Sequence, residues 1–125
     1  MSEKRALLIV DHGSRQPEAN ETIGEIARMT RQIRPGLIVE YAHMEMAEPN
    51  IAEGVARCVE AGADEVIVHP YLLADGRHCQ ETIPEEIGEL ALTYPDVQFR
   101  ITAPLGPHRK LAEIVLQRID ESGSD

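Results

Sequence analysis

Short apolar runs alternate with longer amphipathic stretches along this chain, and the alternation repeats four times. Continuous apolar runs are typical of strands that are buried on both faces of a parallel sheet. They occupy residues 5–11, 37–42, 65–69 and 97–101. Each run is followed by a stretch in which apolar residues recur at the spacing of one helical face. The order βαβαβαβα predicts an α/β fold, a three-layer sandwich with a four-stranded parallel sheet covered on both faces.

The predicted helices carry apolar stripes together with residues that start or stop helices. The first runs from about Pro17 to Arg34, and the last from about Arg109 to Glu121. Residues 82–85 have the spacing of a capping box and should begin the third helix. The residues expected to face the core are Ile23, Ile26, Ala27, Thr30, Ile33, Ile51, Val55, Cys58, Val59, Ile83, Ile87, Leu90, Ala91, Leu111, Ala112, Val115 and Ile119.

Length and charge limit the class of protein. The 125 residues suit a single domain over 1–125, and the formal net charge of −10 disfavours nucleic acid or an anionic membrane as a partner. No signal peptide or membrane span is visible, and Cys58 and Cys79 form no CxxC motif, so we expect free thiols in the cytoplasm. A sheet of four strands has two edges to protect, which favours a partner subunit.

Two histidines stand where predicted strands run out into loops. His12 follows the first strand, and His78 lies in the loop after the third strand. Ligands bind at the carboxyl edge of open α/β sheets, where both loops should open. Two imidazoles there can hold a divalent metal or move protons near neutral pH. Alternatively, His12 bonds only to its loop backbone and His78 faces water at the start of a helix.

The sequence evidence for a functional role is weaker for the other polar residues near this edge. Glu45, just past the second strand, could bind a metal or accept a proton from an imidazole, or it could be an ordinary solvated loop residue. His43 should share one side of an extended segment with Glu45 and could support the site. His69 is expected to be hydrogen-bonded and partly buried, and His108, at the start of the last helix, to cap it or to be exposed. Cys79 lacks the sulfur partners of a thiolate metal site.

Several catalytic motifs are missing from the sequence. There is no P-loop, no glycine-rich dinucleotide motif after the first strand, and no nucleophile elbow around Ser14. Residues 11–13, Asp-His-Gly, are similar to the Arg-His-Gly of histidine phosphatases. An acid beside a phosphate-accepting histidine would repel the substrate, so a phosphatase is a distant alternative.

Five stretches together resemble the small class II tetrapyrrole chelatases, which are the sirohydrochlorin cobaltochelatase family and its nickel- and iron-inserting relatives. The two most specific stretches are Leu8-Ile9-Val10-Asp11-His12-Gly13-Ser14-Arg15 and Pro70-Tyr71-Leu72-Leu73-Ala74-Asp75-Gly76-Arg77-His78. The others are residues 42–49, 83–84 and 104–106. They follow the family's order and are spread over nearly the whole chain.

The resemblance implies a chelatase-like (flavodoxin-like) domain in the short, single-domain form, which works as a homodimer. It implies ATP-independent insertion of a divalent metal into sirohydrochlorin, with cobalt for cobalamin synthesis as the first choice and nickel or iron as alternatives. The metal is a substrate, and no organic cofactor is implied. The family's two histidines fall on His12 and His78, and a carboxylate used by some members falls on Glu45. These three residues are the implied catalytic and metal-binding set.

The sequence leaves substrate binding more open. Ser14, Arg15 and Arg77, which neighbour the implied set, are the candidates for binding sirohydrochlorin. Because this substrate carries many carboxylates and the chain is acidic, local cations must hold it, and Arg109 and Lys110 could add to them. A carrier that binds metal or tetrapyrrole without turnover would use the same residues and is the alternative function.

Overall fold

The computed structural model describes residues 4–123, which fold into the predicted alternation of strands and helices. Strands β1 to β4 span Arg5–Asp11, Ile38–His43, Glu65–Pro70 and Gln98–Ile101. Helices α1 to α4 span Pro17–Ile33, Ile51–Glu60, Ile83–Thr93 and Arg109–Glu121. Residues 1–3 and 124–125, the ends of the predicted domain, lie outside the described residues.

The four strands form one parallel sheet in the order β2-β1-β3-β4. The predicted four-stranded parallel sheet is therefore confirmed. Chain order reverses at β1, because β2 lies on one side of it and β3 on the other. The loops that follow β1 and β3 leave the sheet side by side at its carboxyl edge, where open α/β sheets form their ligand crevice.

The core lies on both faces of the sheet, as continuous apolar strands require. Leu8, Val10 and Val68 face the larger cluster, which lies beneath α2 and α3. Ile9 and Val39 face a smaller cluster beneath α1. Both clusters meet on β1, whose side chains at positions 6 and 8–10 are buried. The central strand β1 is thus held by the core on both faces, and its rigid end sets the position of His12.

One prediction about a helix end is wrong, and another is confirmed. Thr82 makes no capping hydrogen bond, because a short π-helix, His78–Thr82, runs directly into α3 and keeps Thr82 in helical backbone. The capping box instead begins α2, where Asn50 accepts from the backbone N–H of Glu53 and the Glu53 side chain accepts from Asn50. The expectation for His108 is confirmed, because its ring caps α4 by accepting the N–H of Lys110.

Most of the predicted inward faces of α1, α2 and α3 are correct, with one exception. Ile23 and Ala27 of α1 are buried, as are Ile51, Val55 and Cys58 of α2 and Ile83 and Ile87 of α3. Ile33, also expected to face the core, is 83% exposed. It is the last residue of α1, where the chain turns towards β2 and nothing covers the end of the stripe.

Helix α4 has the predicted bounds but not the predicted packing. We expected Leu111, Ala112, Val115 and Ile119 to face the core, yet α4 has no buried residue, and Val115 and Ile119 are each 60% exposed. The helix follows the edge strand β4, so few elements of its own chain lie within reach. An apolar stripe predicts which face of a helix will be buried, but it does not predict which element buries that face.

Within residues 4–123, no helix combines the length and the apolar character that a bilayer crossing requires.

Candidate functional site

His12 and His78 meet at the carboxyl edge of the sheet. His12 directly follows β1, and His78 opens the π-helical turn that leads into α3. Their ring centroids are 4.9 Å apart and their planes stand at 87°, an edge-to-face contact. The structure thus brings together the two histidines that the sequence placed on separate strand ends.

Gly13 allows the loop after β1 to lie against the loop after β2. Its φ is +94°, and a Cβ built there would stand 1.9 Å from the carbonyl oxygen of Glu45. Only glycine tolerates both this backbone conformation and this close approach. The two loops are also joined by the N–H of Glu45, which donates to the carbonyl of His12 at 3.2 Å. Glu45 is therefore carried to His12 by backbone packing.

The Glu45 carboxylate lies beside His12. Its Oε2 is 3.5 Å from Nδ1 of His12, and the two side chains are 49% and 51% exposed. A polar contact this exposed adds little stability, so both groups are free to exchange partners. In residues 4–123, no three His, Cys, Asp or Glu side chains are grouped to hold a metal ion as they stand. His12 is the shared neighbour of Glu45 and His78, and binding by all three requires their side chains to rotate.

His78 contains an unusual nitrogen. Its Nδ1 is buried and has no hydrogen-bond partner among the described residues, the one such side-chain nitrogen or oxygen in that part of the chain. Leaving a buried polar atom unpaired costs about 1–3 kcal/mol, so native folds rarely contain one without a functional reason. The unpaired nitrogen is consistent with a functional role for His78.

A cavity of about 460 Å³ opens beside the two histidines. The loop after β3 supplies most of its wall. The lining residues are His12, Tyr71, Leu72, Leu73, Ala74, Gly76, Arg77 and His78. A mainly apolar wall with a few polar groups is typical of sites for small organic ligands. Tyr71 and Leu73 were not among the predicted site residues, although the apolar run that continues past β3 was a signal that could have indicated them.

The three candidate substrate-binding residues differ in the contacts that they make within the protein. Ser14 stabilises the turn before α1, where its Oγ accepts the N–H of Gln16. Arg15 is exposed. Arg77 lines the cavity and forms an exposed pair with Glu81 at 3.6 Å. The two arginines carry a positive charge that can bind an anionic ligand, whereas Ser14 is uncharged.

The remaining histidines have structural partners. His69 is half-buried with Nδ1 2.7 Å from Oγ1 of Thr102, as expected, and burial lowers the pKa of its imidazole. The expectation that His43 and Glu45 share one side of an extended segment is wrong. The chain leaves the extended conformation after His43, so His43 is buried whereas Glu45 is exposed. Sequence reasoning missed that Nδ1 of His43 lies 2.6 Å from Oδ1 of Asp11.

The two cysteines are free, and neither lines the site. Cys58 is buried in α2, and burial, with a smaller contribution from Glu40, raises the pKa of its thiol to about 12. Burial also raises the pKa of the Cys79 thiol, and Asp75 adds to this shift. Both thiols are therefore mainly protonated at neutral pH, which slows their reaction with electrophiles.

Comparison with known proteins gives a consistent result. A family model described as CbiX matches residues 6–122. The chain is 42% identical to the chloroplastic sirohydrochlorin ferrochelatase of Arabidopsis thaliana, over 90% of this chain and 50% of that one. It is 32% identical to the sirohydrochlorin cobaltochelatase of Methanococcoides burtonii, over 97% of this chain and 98% of that one.

Solved structures agree with the sequence matches. The sirohydrochlorin chelatase SirB from Bacillus subtilis in complex with cobalt superposes with a TM-score of 0.86 at 30% identity, over 94% of this chain and 50% of that one. The chain thus spans about half the length of the Arabidopsis and Bacillus relatives, and nearly the whole length of the Methanococcoides protein.

Proposed function

Because the chain belongs to the CbiX family, we propose that it catalyses the ATP-independent insertion of a divalent metal into sirohydrochlorin. The observation that carries this proposal is the contact between His12 and His78, which lies on the wall of an apolar cavity at the switch point of the sheet. The relatives named as sirohydrochlorin chelatases support the choice of tetrapyrrole.

The chemistry requires two groups that accept protons and bind a metal in turn. A divalent ion enters the macrocycle when two pyrrole N–H bonds break, two protons leave and the pyrrole nitrogens bind the ion. Imidazole has an unperturbed pKa of about 6.5, so its neutral form can either bind the ion or take up a proton near neutral pH. We assign both roles to His12 and His78. Glu45, which contacts His12, assists by binding the ion and by stabilising the protonated imidazole.

The arrangement suits a metal that is a substrate and must leave. Two imidazoles and one carboxylate form a borderline donor set that accepts cobalt(II), nickel(II) and iron(II). The three side chains are not grouped into a closed site, which favours transient binding over storage. We propose cobalt as the physiological metal, supported by the cobaltochelatase that this chain matches over nearly its whole length, with iron and nickel as alternatives.

The cavity can hold the tetrapyrrole by two kinds of contact. Its apolar wall, with Tyr71 and Leu73, suits the flat face of the macrocycle. Arg77, together with Arg15 and Ser14, is proposed to bind the carboxylates at the macrocycle's periphery. The Arg77–Glu81 pair is exposed on both sides, so a substrate carboxylate can replace Glu81 at little cost.

We also propose a cytoplasmic homodimer. Helix α4 leaves an apolar face uncovered, with Ile114, Val115, Leu116 and Ile119 all exposed. Such a face on a folded domain is typical of an association site. Light scattering of the purified protein should give twice the mass of one chain, and Val115→Glu with Ile119→Glu should give a monomer. A monomeric parent protein would contradict the assignment.

The proposed cytoplasmic location rests on the cysteines. The two free thiols agree with a reducing compartment.

An anaerobic absorbance assay tests the function. The purified protein is mixed with sirohydrochlorin and cobalt(II) without ATP, and then with nickel(II) and iron(II) in turn. Chelatase activity is a change in the macrocycle spectrum that is faster than in protein-free buffer and continues over many turnovers. Saturable binding without acceleration would contradict the proposal and identify a carrier.

A further inference from the structure

We propose that the hydrogen-bonded pair of Asp11 and the buried His43 is a positioning device that holds the ends of β1 and β2 so that Glu45 lies against His12. The inference rests on the proposed function and adds two residues to it. Neither residue is proposed to touch metal or tetrapyrrole. Each acts through the catalytic residue that follows it in the chain, His12 after Asp11 and Glu45 after His43.

The pair is formed at the last rung between two strands. Asp11 and His43 are register partners at the ends of β1 and β2. Nδ1 of His43 lies 2.6 Å from Oδ1 of Asp11, the shortest hydrogen bond between side chains among the described residues. His43 is 1% exposed and is the one buried polar or charged residue in residues 4–123. A polar ring is buried at this position, paired with a partly buried carboxylate, although the rest of the buried core is apolar.

The backbone carries the alignment from this pair to the catalytic residues. Beyond the last rung, the N–H of Met44 donates to the carbonyl of Asp11 at 3.0 Å, and the N–H of Glu45 donates to the carbonyl of His12 at 3.2 Å. These two bonds extend the pairing of β1 and β2 into their loops. The side-chain bond between Asp11 and His43 immediately precedes them, so it fixes the register in which they form.

The atoms around the pair are tightly packed. A Cβ on Gly13 would stand 3.2 Å from the Cβ of His43 and 1.9 Å from the carbonyl oxygen of Glu45. A shift of either strand end is therefore passed to the neighbouring loop rather than absorbed. A displacement of about 1 Å in a catalytic group can lower a rate by up to a hundredfold.

The chemistry of the pair explains why it holds. A carboxylate only accepts hydrogen bonds, so the proton between the two residues lies on Nδ1 of His43. Among the ion pairs of residues 4–123, His43 is the only partner of Asp11. Without this donor, the partly buried Asp11 carboxylate would be left unpaired beside His12 and would turn towards water.

Two variants of His43 separate the hydrogen bond from the volume of the ring. His43→Phe keeps a ring but removes the donor, whereas His43→Asn places an amide N–H where Nδ1 stood. Ile23→Val, a core change beneath α1, controls for lost stability. For each protein, a crystal structure gives the separation of His12 and Glu45, and the insertion assay gives kcat and KM at a temperature well below every Tm.

We expect His43→Phe to separate Nδ1 of His12 from the Glu45 carboxylate by more than about 4 Å, the limit for an ion pair. Its kcat should fall roughly tenfold to a hundredfold while KM for sirohydrochlorin changes by less than about twofold. His43→Asn should restore both the contact and kcat, and Ile23→Val should lower Tm without changing kcat.

Two results would overturn the inference. One is a His43→Phe protein that keeps the His12–Glu45 contact together with the parent kcat. The other is a loss of kcat that His43→Asn does not restore. If the parent protein inserts no metal, the proposed function fails, and the crystal structures alone decide whether the pair positions Glu45.

Discussion

The imidazole of His12 meets the imidazole of His78 edge to face, with their centroids 4.9 Å apart. The contact follows from the sheet order, because β1 and β3 are parallel neighbours and their loops leave the same edge. Glu45 reaches the same place from the loop after β2, on the other side of β1. The central strand thus gathers three groups that can bind metal or accept a proton from three loops.

Glu45→Gln tests the carboxylate. The variant keeps the size of the side chain but removes its charge, so it weakens metal binding and no longer stabilises a protonated His12. We expect cobalt affinity and insertion rate each to fall by about 10- to 100-fold. Isothermal titration and the absorbance assay measure these quantities, and Glu48→Gln, in the same loop, serves as the control. Parent-like values for Glu45→Gln would show that the carboxylate has no part in the reaction.

Gly13→Ala tests the loop packing. The new Cβ meets the Glu45 carbonyl and the backbone stays at a positive φ, so we expect the free energy of unfolding to fall by about 1–3 kcal/mol or more. Gly36→Ala is the matched control, because no atom beyond its two chain neighbours lies within 4 Å of the added Cβ. Urea unfolding measures both variants. Equal stability of the two would contradict the close approach of the loops.

The sequence was sufficient to predict the order of elements, the parallel sheet and the edge at which His12 and His78 meet. These features depend on apolar periodicity and on a general property of α/β sheets. Apolar positions within β1 or α2 have the same neighbours in any such fold, so their burial was also predictable. The pairing of His12 with His78 needed only that both loops open at one edge.

The features that were not predictable depend on what lies opposite a residue. Val115 of α4 carries the correct spacing for an inward face, but the chain provides nothing to cover it. Thr82 has the correct spacing for a capping box, but a π-helix continues through it. The bond between Asp11 and His43 requires the register of β1 against β2, which periodicity alone does not supply.

His69 makes stability depend on pH. Burial holds the pKa of its imidazole below the ordinary value of 6.5, so the unfolded chain binds more protons than the folded chain as pH falls through that range. We expect the free energy of unfolding contributed by His69 to be fully present above pH 6.5 and to decline as pH falls towards the folded pKa.

His69→Asn provides the comparison for this pH dependence. Its amide can still donate to Oγ1 of Thr102 but does not titrate, so stability should fall less steeply between about pH 7 and pH 5. Chemical unfolding at several pH values measures the two slopes. A variant as steep as the parent would assign the pH dependence to other groups.

The two cysteine thiols should differ in how accessible they are to an alkylating reagent. Cys58 is buried with a thiol pKa of about 12, so we expect iodoacetamide to label it only after unfolding. Cys79 is partly exposed, and its raised pKa should make labelling slow but detectable in the native protein. Mass spectrometry of the labelled peptides distinguishes the two sites. Native labelling of Cys58 as fast as that of Cys79 would contradict the packing beneath α2.

The most direct measurement is the rate of cobalt insertion into sirohydrochlorin by His12→Ala and by His78→Ala, with His108→Asn as a histidine control that keeps its helix cap. Both alanine variants should remain folded by circular dichroism and should lose about a hundredfold or more of the rate, because each lacks a group that accepts protons and binds the ion. His108→Asn should insert cobalt at the parent rate. Parent-like insertion by both alanine variants would contradict the central claim that these two histidines carry the reaction.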